Sequence, residues 1–450
     1  MKLRQLKQLA QLAIFVGGSF QVGASVFLVL SIGTVYAGTS IPDYYTMGPS
    51  DCSGMEVWDV QMGMCMPLPM PGMPMRMFMF RGNAFLVGTT QQGPRGRTAL
   101  SLPHMFMGDF GASVGDHHYF NLDLMLTAER WSIPNNGYPE LLQIGEENAS
   151  GQPFIDAQHP HSSPIMGLTL SDTIALSPSS QGSKNQDSKN HIKIFFAPRG
   201  EATDGPMPFM HRPTGMVNPD APLGHHIGQD VGHVTSTVLG GSLKLGDRRF
   251  EASIYHGAEP RPTQVDLPLG VPDSFSLRLI EEFSPDDMAM ASYGWVHQPE
   301  PDQPSTLYES RVSVSFYARR KLGQDWGFYN TFIFGRVTQY DNTSSLMSFA
   351  EEFLFRSELP RIWGRVEVLQ RSPNELGVIT AGDANQGLWV AAFTLGYTHR
   401  MLALRGLEFA LGSSATVDVL PVEYASAYGG NPWTGKVFLQ MGGMGMWDLF

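Results

Sequence analysis

Charged side chains are scarce in this sequence, and the scarcity narrows the classes of protein that it can encode. Asp, Glu, Lys and Arg make up 16% of its 450 residues, whereas about a quarter is usual. The net charge of −12 argues against nucleic acid as a partner, because nothing neutralises the phosphates. The mean hydropathy of −0.12 argues against a protein built mainly from membrane-spanning helices.

Cysteine is also rare, and the common catalytic signatures are missing. The chain contains two cysteines, Cys52 and Cys65. A disulfide is the default for them in an oxidising compartment, and a pair of thiolate metal ligands is the alternative. There is no Walker loop, no H-E-x-x-H, no dinucleotide fingerprint and no G-x-S-x-G elbow. The sequence therefore predicts a protein that is not an enzyme.

Residues 1–37 are predicted to form a signal peptide. Basic residues precede an uncharged, largely apolar run from about Leu9 to Val35, and the small-x-small tripeptide that ends at Ala37 suits signal peptidase. A retained transmembrane anchor is the alternative, because the run is long for a signal peptide. No lipobox cysteine follows, so a lipoprotein is not expected.

Residues 38–80 are predicted to form a disordered, methionine-rich arm or plug. Ten methionines lie between Met47 and Met79. Thioethers are soft donors that select Cu(I) or Ag(I) over hard cations, and an apolar linker that uses methionine as an adaptable packer is the alternative. The predicted soft-metal ligands are Met62, Met64, Met66, Met73, Met75, Met77 and Met79.

Residues 81–450 are predicted to form an all-β domain. Short runs alternate apolar and polar residues with period two, as in Arg311–Arg319. Short turns and long loops alternate between about sixteen strands, and the chain ends in Phe450. These features predict a transmembrane antiparallel up-and-down β-barrel in the bacterial outer membrane, with a water-exposed β-sandwich as the rival. The predicted strands cover approximately residues 82–90, 103–115, 117–128, 163–176, 190–197, 233–245, 248–257, 275–283, 287–297, 308–321, 325–340, 346–357, 360–371, 388–400, 405–420 and 435–449.

The stretch DAQHPH, residues 156–161, is the strongest candidate for a metal site in the loops. Proline keeps its backbone extended, so His159 and His161 can face one target. This loop and the loop 198–232 leave the same rim, so their histidines are expected to converge. Imidazole suits zinc, copper and nickel, and hydrogen bonding of inward-folded loops is the alternative role. The predicted ligands are His159, His161, Asp156, His225, His226 and His211.

Four stretches resemble an uncharacterised family of bacterial exported barrel proteins: FRGNAFLVGTTQQGPRG, DAQHPHSSPIMGLTLS, FMHRPTGMVNPDAPLGHH and IYHGAEP. Members of that family carry a D-x-Q-H-P-H motif and a Met-rich N-terminal segment, and the likeness spans roughly residues 75–300. It implies an outer-membrane protein associated with copper or heavy-metal handling. Many members have the sequence D-L-F after the motif, where this chain has Ser162, Ser163 and Pro164. Any role of the aspartate in D-L-F therefore does not carry over to this chain.

The sequence thus predicts an outer-membrane barrel with an accessory or channel role in transition-metal handling, with copper as Cu(I) or Cu(II). The expected partners are outer-membrane lipids, the barrel-assembly machinery and metal-efflux components. A general porin-like or structural barrel with incidental histidines is the first alternative. An outer-membrane lipid hydrolase is the second, but His161 and Ser162 are neighbours in an extended chain and point apart.

Overall fold

The structure is a computed structural model, and the part of it described below begins at Cys52 and ends at Asp448. The predicted signal peptide and two predicted ligands, Met62 and Met73, lie outside the described residues. The described residues are 52, 56–59, 64–68, 75–148, 150, 152–161, 163–176, 190–260, 265, 267, 269–299, 307–340, 344–404 and 407–448.

Sixteen antiparallel strands close into one barrel, which confirms the predicted fold class. The barrel closes where Trp433–Asp448 pairs with Arg76–Gln91. In chain order the strands are β1 Arg76–Gln91, β2 Thr98–Ser101 with His104–Val114, β3 His118–Leu126, β4 Ile165–Ala175, β5 His191–Gly200, β6 Thr235–Leu245, β7 Arg248–His256, β8 Ser274–Ser284, β9 Asp287–His297, β10 Tyr308–Leu322, β11 Trp326–Gln339, β12 Ser345–Arg356, β13 Pro360–Arg371, β14 Leu388–Leu404, β15 Leu407–Val419 and β16 Trp433–Asp448.

Two strands differ from the prediction. The second strand is interrupted at Pro103, which has no amide hydrogen to give to a ladder, although its carbonyl oxygen still accepts a hydrogen bond from Phe85 at 2.9 Å. The first strand begins at Arg76 and not near residue 82, because residues 76–81 pair with β2 and residues 77–81 pair also with β16. Met77 and Met79, predicted as part of the arm, therefore lie in the barrel wall.

The outer surface of the barrel is apolar and the inner surface is polar. On β7, Phe250 and Ile254 are exposed, whereas Arg249, Glu251 and Ser253, at the alternate positions, are buried. So continuous an apolar exterior needs lipid to cover it. The chain is therefore an outer-membrane barrel, and the rival sandwich is excluded. Exposed apolar side chains on other strands include Leu86, Phe110, Phe120, Leu170, Ile194, Leu239, Leu277, Val314, Phe332, Ile362, Phe393, Val417 and Leu439.

The described helices are short, and none is long and apolar enough to cross a membrane. They are the α-helical turns Glu129–Ser132 and Ala425–Tyr428, the 3-10 turns Phe209–His211 and Val422–Tyr424, and the π-type turn His225–Gln229.

A small hairpin, Glu56–Asp59 paired with Met64–Pro67, comes from the predicted arm; we call it the arm hairpin. A disulfide joins Cys65 to Cys52, which is the default of the two roles that the sequence left open for these cysteines. The ammonium of Lys193, on the inner face of β5, lies 2.6 Å from the Asp59 carboxylate. The described part of the predicted arm thus packs against the inner wall of the barrel.

The connection between β5 and β6, residues 201–234, crosses the barrel interior; we call it the lumen loop. At one end the amide of Gly205 donates to Ser292 on β9, at 2.9 Å. At the other end Asn83 on β1 donates to the carbonyl oxygen of Met216, at 2.9 Å. Since β9 and β1 lie on opposite sides of a sixteen-strand ring, the loop narrows the lumen from wall to wall.

Buried charges anchor the lumen loop between these ends. The guanidinium of Arg212 forms two hydrogen bonds to Glu352 on β12, at 3.1 and 3.0 Å. Thr214 donates to the same carboxylate at 2.6 Å, and Lys436 on β16 pairs with Asp220. Paired charges of this kind are retained inside proteins because an unpaired buried charge is very costly.

A second segment folds inward from the connection between β3 and β4. It is the hairpin of Tyr138–Glu147 and Pro153–Gln158, which we call the inner hairpin. The hydroxyl of Tyr138 donates to Asp220 of the lumen loop at 2.7 Å, and Arg371 on β13 donates to the carbonyl oxygen of Leu142 at 3.0 Å. The inner hairpin and the lumen loop therefore support one another.

We predict that Glu352→Ala raises the single-channel conductance in planar bilayers. The substitution leaves Arg212 buried without its partner, at a cost of about 3–5 kcal/mol, and so releases the lumen loop from β12. Arg320→Ala is the control, because Arg320 is half exposed and pairs with Asp287 where β9 begins, away from the lumen loop's anchor. Equal conductance of Glu352→Ala and the unaltered protein would show that the loop does not limit the channel.

Candidate metal centre

Five histidines converge inside the barrel. The sequence predicted this for His159, His161, His225 and His226, and His233 joins them. His159 lies with its ring centroid 6.3 Å from that of His225 and 6.0 Å from that of His226. His161 lies 5.6 Å from His233, and His225 lies 4.6 Å from His233. Two separate loops therefore supply one cluster, which we call the histidine cluster.

The turn His225–Gln229 is held against the wall by a close backbone contact. Gly228 has a φ of +77°, and a Cβ there would lie 2.7 Å from the Cα of Gly335 on β11. The hydroxyl of Ser348 on β12 donates to the carbonyl oxygen of Ile227 at 2.6 Å. Glycine at both contact positions lets the lumen loop touch β11 and so fixes the position of the histidine-bearing turn.

Three residues of the lumen loop have the spacing of metal ligands. One donor atom each from His225, Asp230 and His233 lie within 4.8 Å of one another. Nδ1 of His225 is 3.4 Å from Oδ2 of Asp230. The other carboxylate oxygen of Asp230 accepts a hydrogen bond from the amide of Phe209 at 2.9 Å. That bond orients the carboxylate so that Oδ2 faces the imidazole.

Hydrogen bonds indicate which ring nitrogen of His161 and His233 carries the hydrogen. Nδ1 of His161 lies 2.9 Å from Oε2 of Glu129, and Nδ1 of His233 lies 2.9 Å from the carbonyl oxygen of Asp230. Both oxygens are acceptors, so each Nδ1 donates and each neutral ring keeps its lone pair on Nε2. These two Nε2 atoms are 3.3 Å apart. Two lone pairs repel one another at this distance, whereas a cation between them is held by both.

The electrostatics of the cluster favour a neutral His233 beside ionised Asp230 and Glu129. Burial lowers the pKa of His233 to about 3. Burial alone raises the pKa of Asp230, but His233 and His225 more than offset it and hold that pKa below its usual value. The pKa of Glu129 is also lowered, because the hydrogen bonds from His161 outweigh the effect of burial. The cluster therefore combines imidazole lone pairs with negative charge.

A small cavity of about 30 Å³ adjoins the histidine cluster. His159, His161 and His233 line it, together with Arg199 and Glu259. A space of this size holds about one water molecule or one ion. The histidines thus border a space suited to a single small ligand.

Both carboxylate oxygens of Asp156 are engaged outside the histidine cluster, and these contacts do not support its predicted role as a ligand. Its Oδ1 accepts from the amide of Leu142 and from the hydroxyl of Tyr428, both at 2.8 Å. Its Oδ2 accepts from Arg95 at 3.1 Å. Because both oxygens are engaged, Asp156 anchors the inner hairpin to the neighbouring loops.

The other predicted ligands lie elsewhere. His211 is buried in the turn Phe209–His211, at a different point of the lumen loop. Met66 is buried on the arm hairpin, and Met64 pairs with Asp59 in its backbone ladder. Met75 precedes β1, and Met77 and Met79 lie on β1 itself.

Three residues of the cluster are absent from the predicted ligand set: Glu129, Asp230 and His233. The sequence contains a signal for Asp230 and His233, since they lie within nine residues of one loop together with His225 and His226. Glu129 has no local signal. It comes from a single helical turn after β3, and only the fold brings it to His161.

Solved structures that are similar to this chain include outer-membrane porins. The chain is similar to Salmonella typhi OmpF in complex with daunomycin, at 9% identity and a TM-score of 0.50, over 86% of this chain and 100% of that chain. It is similar to an anion-selective porin from Comamonas acidovorans, at 10% identity and a TM-score of 0.47, over 83% of this chain and 99% of that chain.

A further similar structure is a loop L8 deletion mutant of OmpT, an outer membrane protein of Vibrio cholerae. Here the identity is 7% and the TM-score is 0.44, over 82% of this chain and 99% of that chain. No family model and no curated protein matches the sequence. At 9% identity the likeness to OmpF concerns the fold alone, and the fold is that of an outer-membrane porin.

We predict that Asp156→Asn leaves metal binding unchanged and lowers the free energy of unfolding by about 1–3 kcal/mol. The amide cannot replace the charge that faces Arg95, so the inner hairpin is held less firmly. Urea titration measures the stability, and metal analysis after dialysis measures the binding. A loss of bound metal at unchanged stability would restore Asp156 as a ligand.

Proposed function

We propose that this barrel binds one transition-metal ion at the histidine cluster and acts as an accessory protein of copper handling in the outer membrane. The observation that carries the proposal is the 3.3 Å separation of the Nε2 atoms of His161 and His233, each with its Nδ1 already engaged. With each Nδ1 engaged by an acceptor, the two facing Nε2 atoms are arranged to hold a cation between them.

The distances support a four-coordinate site. Donors that lie about 2.0–2.1 Å from an ion at tetrahedral angles are about 3.3 Å apart. The separation of the two Nε2 atoms is 3.3 Å, and that of His225 Nδ1 and Asp230 Oδ2 is 3.4 Å. We infer that His161, His225, Asp230 and His233 supply the four donors, with His159 and His226 next to them.

The groups behind the donors support the same proposal. Metal-binding histidines usually donate their second N–H to a carboxylate or a backbone carbonyl, which fixes the tautomer and strengthens the donor. His161 has such a carboxylate in Glu129, and His233 has such a carbonyl in Asp230. Histidines without a metal-binding role would not be expected to have two such hydrogen-bond acceptors around one small cavity.

The donor set favours borderline divalent ions. Imidazole and carboxylate suit Cu(II) and Zn(II), and among first-row divalent ions Cu(II) binds such sites most strongly. Copper is therefore the proposed ion, in keeping with the resemblance of the DAQHPH segment to exported proteins of copper loci. Outer-membrane lipids, the barrel-assembly machinery and metal-efflux components remain the proposed partners.

The porin-like alternative agrees with the same barrel, in which buried ion pairs tie the lumen loop to the wall and narrow the channel. The lipid hydrolase receives less support. A lipid hydrolase would need His161 Nε2 beside a serine hydroxyl, but that nitrogen faces His233. We therefore propose a binding role without catalysis.

We predict that the purified protein retains one Cu(II) or Zn(II) per chain after dialysis and that His161→Ala/His233→Ala loses it. Glu129→Gln should weaken the affinity by about 10–100-fold, because it removes only the partner of a ligand. Elemental analysis gives the stoichiometry, and competition with a chelator gives the affinity.

The matched control is His256→Ala/His297→Ala. These two imidazoles share the Asp273 carboxylate, at 3.0 and 3.3 Å, and lie outside the histidine cluster. The control should keep its ion. Equal metal content in the control and in His161→Ala/His233→Ala would contradict the proposal.

A further inference from the structure

A second cluster in the barrel interior consists almost wholly of methionine. We call it the methionine chamber. Its members come from the arm hairpin, the lumen loop and four neighbouring strands of the wall, so separate parts of the chain bring thioethers to one place. The members are Met66, Met75, Met79, Met105, Met107, Met125, Met210 and Met444, together with Tyr119.

Packing alone does not account for this composition. A larger cluster under the inner hairpin contains leucine, valine, isoleucine and tyrosine, and no methionine among its described members. The same interior is therefore filled elsewhere by side chains with better-defined shapes. Methionine differs from them in carrying a soft sulfur donor on a flexible stem.

The strand register aligns the chamber across the wall. Met444 on β16 is opposite Arg81 on β1, Arg81 is opposite Met107 on β2, and Met107 is opposite Met125 on β3. Side chains at facing positions have Cβ atoms about 4.5–5.5 Å apart. Flexible thioethers at such positions can turn their sulfurs toward a common point.

A buried carboxylate lies among these thioethers. Asp109 is 2% exposed and is opposite Met79 in the register of β1 and β2. Its Oδ1 accepts a hydrogen bond from Asn121 at 3.3 Å. Its Oδ2 has no hydrogen-bond partner among the described residues, and a buried carboxylate oxygen without a partner is costly. A cation in the chamber would supply the missing partner.

A neighbouring contact shows that thioether sulfur interacts with positive charge in this interior. The guanidinium of Arg81 donates to Sδ of Met216 at 2.7 Å. Arg81 also adds positive charge beside the chamber, and Lys193 is paired with Asp59 of the arm hairpin. Asp123 on β3 is opposite Asp109 in the strand register. The two carboxylates and Arg81 together leave one formal negative charge for a bound cation.

We propose that the methionine chamber binds a soft monovalent cation of the Cu(I) and Ag(I) class, with thioethers as donors and Asp109 as the counter-charge. Thioethers favour such ions over hard cations and need no deprotonation. The single positive charge of such an ion matches the one net negative charge of Asp109, Asp123 and Arg81. This inference does not depend on the histidine cluster, because the two clusters share no residue.

Silver is the probe, since Ag(I) is stable in air. The unaltered protein in detergent should bind Ag(I) in a chloride-free titration, and Met79→Leu/Met107→Leu should lose one Ag(I) per chain. Leucine keeps the volume and apolar character of methionine, so the barrel is expected to fold. Asp109→Asn should weaken Ag(I) binding at least about tenfold.

The matched control is Met288→Leu/Met290→Leu, which removes two buried methionines at alternate positions of β9. It should bind Ag(I) as the unaltered protein does. Unchanged binding by Met79→Leu/Met107→Leu would overturn the inference, and so would an equal loss in the control. If Met79→Leu/Met107→Leu does not reach the heat-modifiable folded state, Met105→Leu/Met125→Leu provides the same test.

Zinc separates the two proposals. Zn(II) should bind the methionine-chamber variants normally, because their imidazoles are intact. A protein that binds Ag(I) but no divalent ion would contradict the proposed function and leave the chamber supported. A protein that binds Zn(II) but no Ag(I) would contradict the chamber alone.

Discussion

The ion pair between Arg212 and Glu352 is the contact on which the interior arrangement depends. Two unit charges are buried there, and their bidentate geometry with Thr214 makes that burial tolerable. The pair fixes the middle of the lumen loop to β12. The histidine-bearing turn follows on the same loop and is positioned against β11 and β12, so the geometry of the histidine cluster depends on this anchorage.

The membrane imposes the complementary constraint. Lipid satisfies no backbone hydrogen bonds, so the strands must close into a barrel and present apolar side chains outward. Polar side chains then gather inside, where they must find one another or a ligand. The inward loops and the buried carboxylates Glu129, Asp109 and Asp230 are consequences of this division.

Much of the barrel was predictable because strand periodicity is local. The predicted strands 287–297 and 360–371 agree with the observed β9 and β13, since alternating residues and tight turns mark them in the sequence. The convergence of His159 with His225 followed from topology alone. The role of Asp156 could not be predicted from the topology, because its partner Tyr428 lies 272 residues away in the sequence. The start of β1 was missed because its alternating methionines were interpreted as an arm.

The two kinds of donor also lie on different parts of the fold, and their chemistry explains why. An imidazole must keep one nitrogen unprotonated and the other engaged, so it needs partners such as Glu129 that loops can position individually. A thioether needs no such partner, so Met79 and Met107 can occupy ordinary inward positions of regular strands. A strand with period two can therefore carry soft donors without losing its ladder, whereas the histidine cluster requires loops folded into the lumen.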